Sequence, residues 1–143
     1  MQWMPRLLGG AGVTALGLLA ACGSGGPTGT DGTVVGVTLS EFVLTPSPTS
    51  VPPGAVFFAA RNVGQGIHEV VVLQTDRVPD ALPVTGSQVD ETASGIQRLG
   101  RIENIQPGAS AGQRIDLGPG RYVLICNIAG HYQQGMRAAL RVP

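Results

Sequence analysis

An all-β Greek-key sandwich of seven to eight strands is the fold this sequence predicts, and three observations carry it. From Thr33 onward, short runs rich in Val, Ile, Leu and Phe are broken by Pro and Gly at close intervals. No stretch has a convincing helical period. The connections are short, which favours antiparallel pairs joined by turns, because parallel strands ordinarily need helical crossovers.

The runs follow in order. Val34–Leu39 comes first, and Phe42–Thr45 follows. The turn Pro52-Pro53-Gly54 opens Ala55–Asn62, and a Gly-containing stretch separates that run from His68–Thr75. One long connection, Asp76 to Leu99, is polar and contains Gly, with room for a turn of helix. Loops of that length in a compact domain are usually functional or simply irregular. Gly100–Ile105 is ended by Pro107-Gly108, and Gln113–Leu117 by Gly118-Pro119-Gly120. Tyr122–Cys126 and Ala138–Val142 complete the set, with no internal repeat.

With 143 residues there is room for one domain and short extensions. Residues 1–21 read as a signal peptide: Arg6 supplies one positive charge, an apolar run extends from Leu7 through Ala21, and small residues precede Cys22. The run is too short to span a membrane comfortably. Leu19-Ala20-Ala21-Cys22 resembles the bacterial lipobox, in which the Cys is lipidated and becomes the first mature residue. Residues 22–32 hold no apolar side chain larger than Pro and read as a flexible tether reaching on the order of 17 Å, at roughly 5–6 Å × √n. Residues 33–143 form the domain. Such a chain is expected in the cell envelope, anchored by lipid to the outer face of the cytoplasmic membrane. The only disulfide partner available to Cys126 would be Cys22, which lipidation consumes.

Composition excludes several functions. Charged residues are 13% of the chain and nine acids balance nine basic residues, so no field exists to hold nucleic acid. Every basic residue is Arg, which removes Schiff-base, P-loop and kinase-type lysines.

What remains in the domain is sparse: His68, Cys126, His131 and Met136. Four residues lie between Cys126 and His131, and four more before Met136, on a strand end followed by a loop. A single loop can wrap three ligands around one point. His68 opens a strand that can lie beside the Cys126 strand at the same end of a sandwich. Two imidazoles, a thiolate and a weak thioether suit copper: soft sulfur favours Cu(I) and imidazole favours Cu(II). Zinc fits the same ligands but gains nothing from a thioether. Taken singly, each side chain could be ordinary core or surface. That both His, the domain's only Cys and its only Met fall into one pattern argues for a mononuclear metal site.

With those residues in place, the segment from about Thr33 to Val142 resembles the cupredoxins, the small blue copper proteins. The spacing of Cys126, His131 and Met136 is similar to the rusticyanin, auracyanin and sulfocyanin pattern. The Asn62-x-Gly64 turn and the Gly130-His131 and Gly135-Met136 pairs look like the family too. The resemblance implies one copper ion, with His68, Cys126 and His131 as equatorial ligands and Met136 axial. It implies a one-electron carrier whose redox donor and acceptor dock near His131, where Ile128, Ala129, Gly130 and Tyr132 carry no charge. A monomer is expected. One departure stands out: many relatives have Asn or Ser after the first His, tying the two ligand loops together, and here it is Glu69. Either Glu69 or Asn127 could supply that tie.

Enzymatic readings fare poorly. Cys126 and His131 lie on one tight loop, without an evident orienting residue beyond Asn127 for a thiol nucleophile. A multicopper oxidase needs further His-rich sites, and two His cannot build them. A binuclear copper centre needs a second bridging thiolate. The alternative to a carrier is a copper store or chaperone serving an envelope oxidase. Chaperones tend to use open Met- and His-rich sites, whereas a closed set holds its metal.

Overall fold

The computed structural model describes residues 32–143. The expected signal peptide, Cys22 and all but the last residue of the expected tether lie outside the described residues. Ten strands follow one another: β1 Thr33–Ser40, β2 Val43–Ser47, β3 Gly54–Asn62, β4 His68–Gln74, β5 Val84–Thr85, β6 Gln88–Val89, β7 Gln97–Ile105, β8 Ser110–Leu117, β9 Gly120–Ile125 and β10 Arg137–Val142. They make two four-stranded sheets, ordered β2-β1-β3-β8 and β10-β9-β4-β7, and the small β5-β6 hairpin. Among the described residues, no helix is long and apolar enough to cross a membrane.

Each of the eight expected strands has its counterpart. The count rises to ten because the Asp76 to Leu99 connection folds its own hairpin, preceded by a single 3-10 turn at Pro79–Ala81. β7 also starts three residues before Gly100, since its backbone pairs with Leu73 and Gln74 while its polar side chains face outward.

The antiparallel expectation fails for one pair of strands: β1 and β3 pair in parallel from Thr33↔Val56 to Leu39↔Asn62. No helix makes this crossover. After β2 the chain passes to the edge of the other sheet. There Val51 N–H donates to Arg141 O at 3.0 Å and Arg141 N–H donates to Thr49 O at 2.9 Å, and the chain then returns to β3. An extended segment satisfied on a neighbouring sheet edge meets the same backbone needs as a helix.

The inward side chains of β1 (Val35, Val37, Leu39) and β3 (Val56, Phe58, Ala60) pack against those of β4, β9 and β10, including Val72, Leu124 and Leu140. Alternation is strict where one face meets solvent, as in β1. β4 lacks it, because Val71 and Leu73 are buried on the opposite face in a second cluster with Leu82, Val89, Val123, Ile125 and Tyr132. The long connection therefore covers the outer face of the β9-β4 pair. Among the described residues, both clusters run from Val35 to Val142.

Candidate metal centre

β4 and β9 run antiparallel, with Val71 opposite Ile125, so the start of β4 and the end of β9 meet at one end of the sandwich. β1 and β3 finish at this end too, and their turns supply the other walls. His68, the first residue of β4, and Cys126, just past β9, are both fully buried. His131 lies on the loop leading to β10 and is part exposed. One nitrogen from each His and the Cys126 sulfur lie within 4.8 Å of one another, with Cys126 Sγ 3.4 Å from His131 Nδ1. Bonds of about 2.0–2.3 Å put the ligands of one ion within about 4.6 Å of each other. At trigonal to tetrahedral angles such ligands stand about 3.3–4.0 Å apart, so the Cys126–His131 pair is already at ligand spacing and the widest pair has to draw in by about 1 Å to hold a single ion.

The loop that returns to β10 is pinned by its backbone. Cys126 N–H donates to Met136 O at 3.0 Å, His131 N–H to Ile128 O at 2.9 Å, and Met136 N–H to His131 O at 3.1 Å. Gly130 and Gly135 take positive φ values of 83° and 124°, where a side chain would be strained, and so allow the two tight bends. Met136 is completely buried, tied by these bonds to both Cys126 and His131.

On the other side, fully buried Asn62 shapes the approach to His68. Its Nδ2 donates to Gly66 O at 2.7 Å and Ile105 O at 2.8 Å, and its Oδ1 accepts from Gly64 N–H at 2.9 Å. Glu41, in the β1–β2 turn, completes this wall, with its Oε1 3.1 Å from His68 Nε2. The N–H groups of Gly66, at 2.5 Å, and Gln65, at 2.8 Å, donate to the same oxygen. The Gly66 N–H above all holds the Glu41 carboxyl down to about 2. Glu41 is thus a carboxylate at neutral pH and can only accept, which assigns the hydrogen of this contact to His68 Nε2 and makes Nδ1 the ring nitrogen available to a metal. That Nδ1 is buried and has no hydrogen-bond partner among the described residues. An orphaned imidazole nitrogen beside a buried thiol fits a metal ion, which would satisfy both.

Burial pushes the Cys126 thiol up, while the backbone N–H groups of Ile128 and Glu69 favour the thiolate. Burial lowers His131, helped by His68 and opposed by Glu41, so the ring is neutral and able to ligate. The rings of His68 and His131 meet edge to face at 5.2 Å, and Phe42 packs against His131 in the same manner at 5.3 Å.

The tie between the ligand loops uses both residues in question. Asn127 N–H donates to Glu69 Oε1 at 3.1 Å. The Asn127 side chain reaches instead to the long connection, its Oδ1 accepting from Val89 N–H at 2.7 Å. Sequence reasoning missed Glu41, 27 residues before His68, because nothing in spacing links a turn carboxylate to a ligand in another sheet. It also missed Arg101 and Glu91, which pair with each other, Arg101 pairing with Glu69 as well. One expectation about the rim is corrected. Tyr132 is buried in the second cluster, its hydroxyl donating to Pro79 O at 2.6 Å, because its ring fills the space beneath the long connection.

No protein-family model and no curated protein sequence matches the chain. Solved structures do resemble it. A dithionite-reduced auracyanin from Roseiflexus castenholzii is 19% identical, with 78% of this chain and 97% of that one covered at a TM-score of 0.59. Auracyanin A of Chloroflexus aurantiacus, described as a "blue" copper protein, is 14% identical over 77% and 99% at 0.53. Rusticyanin from Thiobacillus ferrooxidans is 20% identical over 78% and 79% at 0.54. A multicopper oxidase from Aquifex aeolicus also matches at 0.51, but this chain spans only 30% of it.

Proposed function

We propose that this chain, which has the cupredoxin fold, binds one copper ion through His68, Cys126, His131 and Met136 and carries single electrons. The observation that carries the reading is the buried Nδ1 of His68, without a partner among the described residues, close to the buried Cys126 sulfur and a second imidazole. When bound, copper would supply a one-electron couple between Cu(I) and Cu(II). The protein's part is to hold the donors. Glu41 fixes the His68 ring, the Asn62 turn fixes its backbone, and the Cys126–Met136 loop is braced at both ends. Burial of His68, Cys126 and Met136 keeps water from the sulfur donors. The two histidines of the chain leave none for the additional copper sites an oxidase requires, so the reading is a carrier and no enzyme. A visible spectrum with a potential titration of copper-loaded protein tests it: intense blue colour and a reversible couple are expected. A colourless protein that keeps Cu(I) and resists oxidation would overturn the carrier reading in favour of a copper store.

Electrons are proposed to pass through His131, the one part-exposed ligand, to redox partners docking on an apolar rim. Val43, Val63 and Ile67 are exposed at this end of the sandwich, and Ala129 on the ligand loop is exposed beside His131. The exposed Glu41 carboxylate lies at this end too; a small, largely apolar contact with one such charge suits weak, rapidly released docking. Ala129→Asp should leave spectrum and potential nearly unchanged and slow electron self-exchange by about one to two orders of magnitude. Desolvating an unpaired polar group costs about 1–3 kcal/mol, at 1.4 kcal/mol per factor of ten. NMR line broadening in mixtures of the two redox states measures it, and an unchanged rate would move the port elsewhere.

The proposed location is the outer face of the cytoplasmic membrane, held by lipid on Cys22. Native protein should then require detergent for release, and Cys22→Ser should accumulate as unprocessed precursor. Wild-type protein recovered soluble, with a different N-terminus, would refute the anchor.

A further inference from the structure

A charged network, separate from the donors themselves, joins the long connection to the ligand loop. Arg101 sits on β7, opposite Val71 of β4. Its NH1 donates to both Glu69 oxygens at 3.1 and 3.0 Å, and its NH2 donates to Glu91 Oε1. Glu69 in turn takes the Asn127 N–H, and Glu91 takes the Asn127 Nδ2–H at 2.7 Å. The same short stretch of connection grips the loop by its backbone. Asn127 Oδ1 and Nδ2 bond Val89 N–H and O at 2.7 and 3.1 Å, Gln88 Nε2 donates to Asn127 O at 2.7 Å, and Gly130 N–H donates to Ser87 O at 2.8 Å.

We propose that Arg101 is a positioning residue of the metal centre, which clamps the 87–91 segment onto the loop carrying Cys126 and His131 while balancing the carboxylate beside the thiolate. The proposal rests on the copper reading for its electrochemical half only. Glu69 is 6% exposed, follows a ligand in sequence, and supplies a backbone N–H that favours the thiolate. A buried carboxylate with its partner removed is strongly unfavourable. Arg101 presents separate nitrogens to the two carboxylates, NH1 to Glu69 and NH2 to Glu91, a fixed span that the single nitrogen of Lys does not reproduce. The second buried cluster holds the connection against β4 and β9 through Leu82, Val89 and Tyr132, and the Val89 backbone bonds Asn127 as well; what Arg101 adds is the tie from Glu91 to Glu69 on β4. The long connection thus becomes part of the site's frame.

Two measurements on Arg101→Gln test this. In metal-free protein, amide hydrogen exchange at Val89, Asn127 and Gly130 should quicken at least tenfold relative to core amides such as Leu124. In copper-loaded protein, removing the positive charge should favour the oxidised form about tenfold, a fall of about 59 mV for a one-electron couple. Arg101→Lys should restore most of the potential and little of the exchange protection. Should Arg101→Gln fail to fold, Glu91→Gln keeps the Glu69–Arg101 pair and should still quicken exchange at Val89 and Asn127. Unchanged exchange in the folded variants overturns the clamp, and an unchanged potential in Arg101→Gln overturns the charge-balancing role. If wild-type protein shows no reversible couple, the carrier reading fails, while the exchange measurement on metal-free protein still decides the clamp.

Discussion

Cys126→Ser is expected to yield a folded, colourless protein whose affinity for copper is lost or greatly weakened. The intense absorption of a blue site needs a thiolate bound to Cu(II), and a hydroxyl in its place has neither the softness nor the accessible negative charge. The fold should survive because Ser is close in volume and the core cluster around Cys126 is otherwise intact. Met136→Leu is the informative partner. Its side chain is fully buried, so Leu preserves volume and apolarity. It should keep copper and colour but raise the reduction potential, since Cu(I) tolerates three donors whereas Cu(II) loses a fourth that it prefers to keep. Optical spectra and potentiometry on the three proteins read both effects. A blue Cys126→Ser protein would remove the thiolate from the site, and loss of copper binding in Met136→Leu would make Met136 a principal ligand.

Asn62→Ala should be the most damaging substitution outside the donors. The side chain is fully buried and makes three hydrogen bonds, two of them as donor to Gly66 O and Ile105 O and one as acceptor from Gly64 N–H. Truncation leaves three backbone groups unpaired, each costing about 1–3 kcal/mol according to how far water can reach it. Only the bond to Ile105 O is wholly buried, so the sum should fall near about 3–5 kcal/mol. At roughly 4 °C per kcal/mol for a domain of this size, Tm of the metal-free protein should drop by on the order of 15 °C. Calorimetry or thermal circular dichroism measures it, and a loss under about 1 kcal/mol would show that water replaces the side chain at no cost. Because the same turn delivers His68 and receives Glu41, the variant should also bind metal more weakly than its stability alone explains.

The fold was legible because its signals are local. β1 alternates apolar and polar residues, and Pro52-Pro53-Gly54 and Gly118-Pro119-Gly120 punctuate the chain where strands end. The rarity of His, Cys and Met in the domain also marked the donors: few residue types bind soft metals, and His68, Cys126 and His131 do come together. By itself, then, the sequence determined the eight strands of the two sheets, the all-β class and three side chains that the fold brings together, His68, Cys126 and His131. The tertiary structure decided what depends on chains meeting from different sheets. The parallel pairing of β1 with β3 follows from an extended segment borrowing the edge beside Arg141. Glu41 reaches His68 across 27 residues, and Arg101 joins Glu69 to Glu91 through a β7 position that looks like any solvent-facing Arg. Tyr132 was read as rim and is core, since the long connection covers it. Periodicity and turn chemistry act over a few residues and are written in order along the chain. A hydrogen bond to a ligand's far nitrogen, or a counter-charge for a buried carboxylate, depends on which side chain the packing brings within about 3 Å, and sequence separation carries no record of that distance.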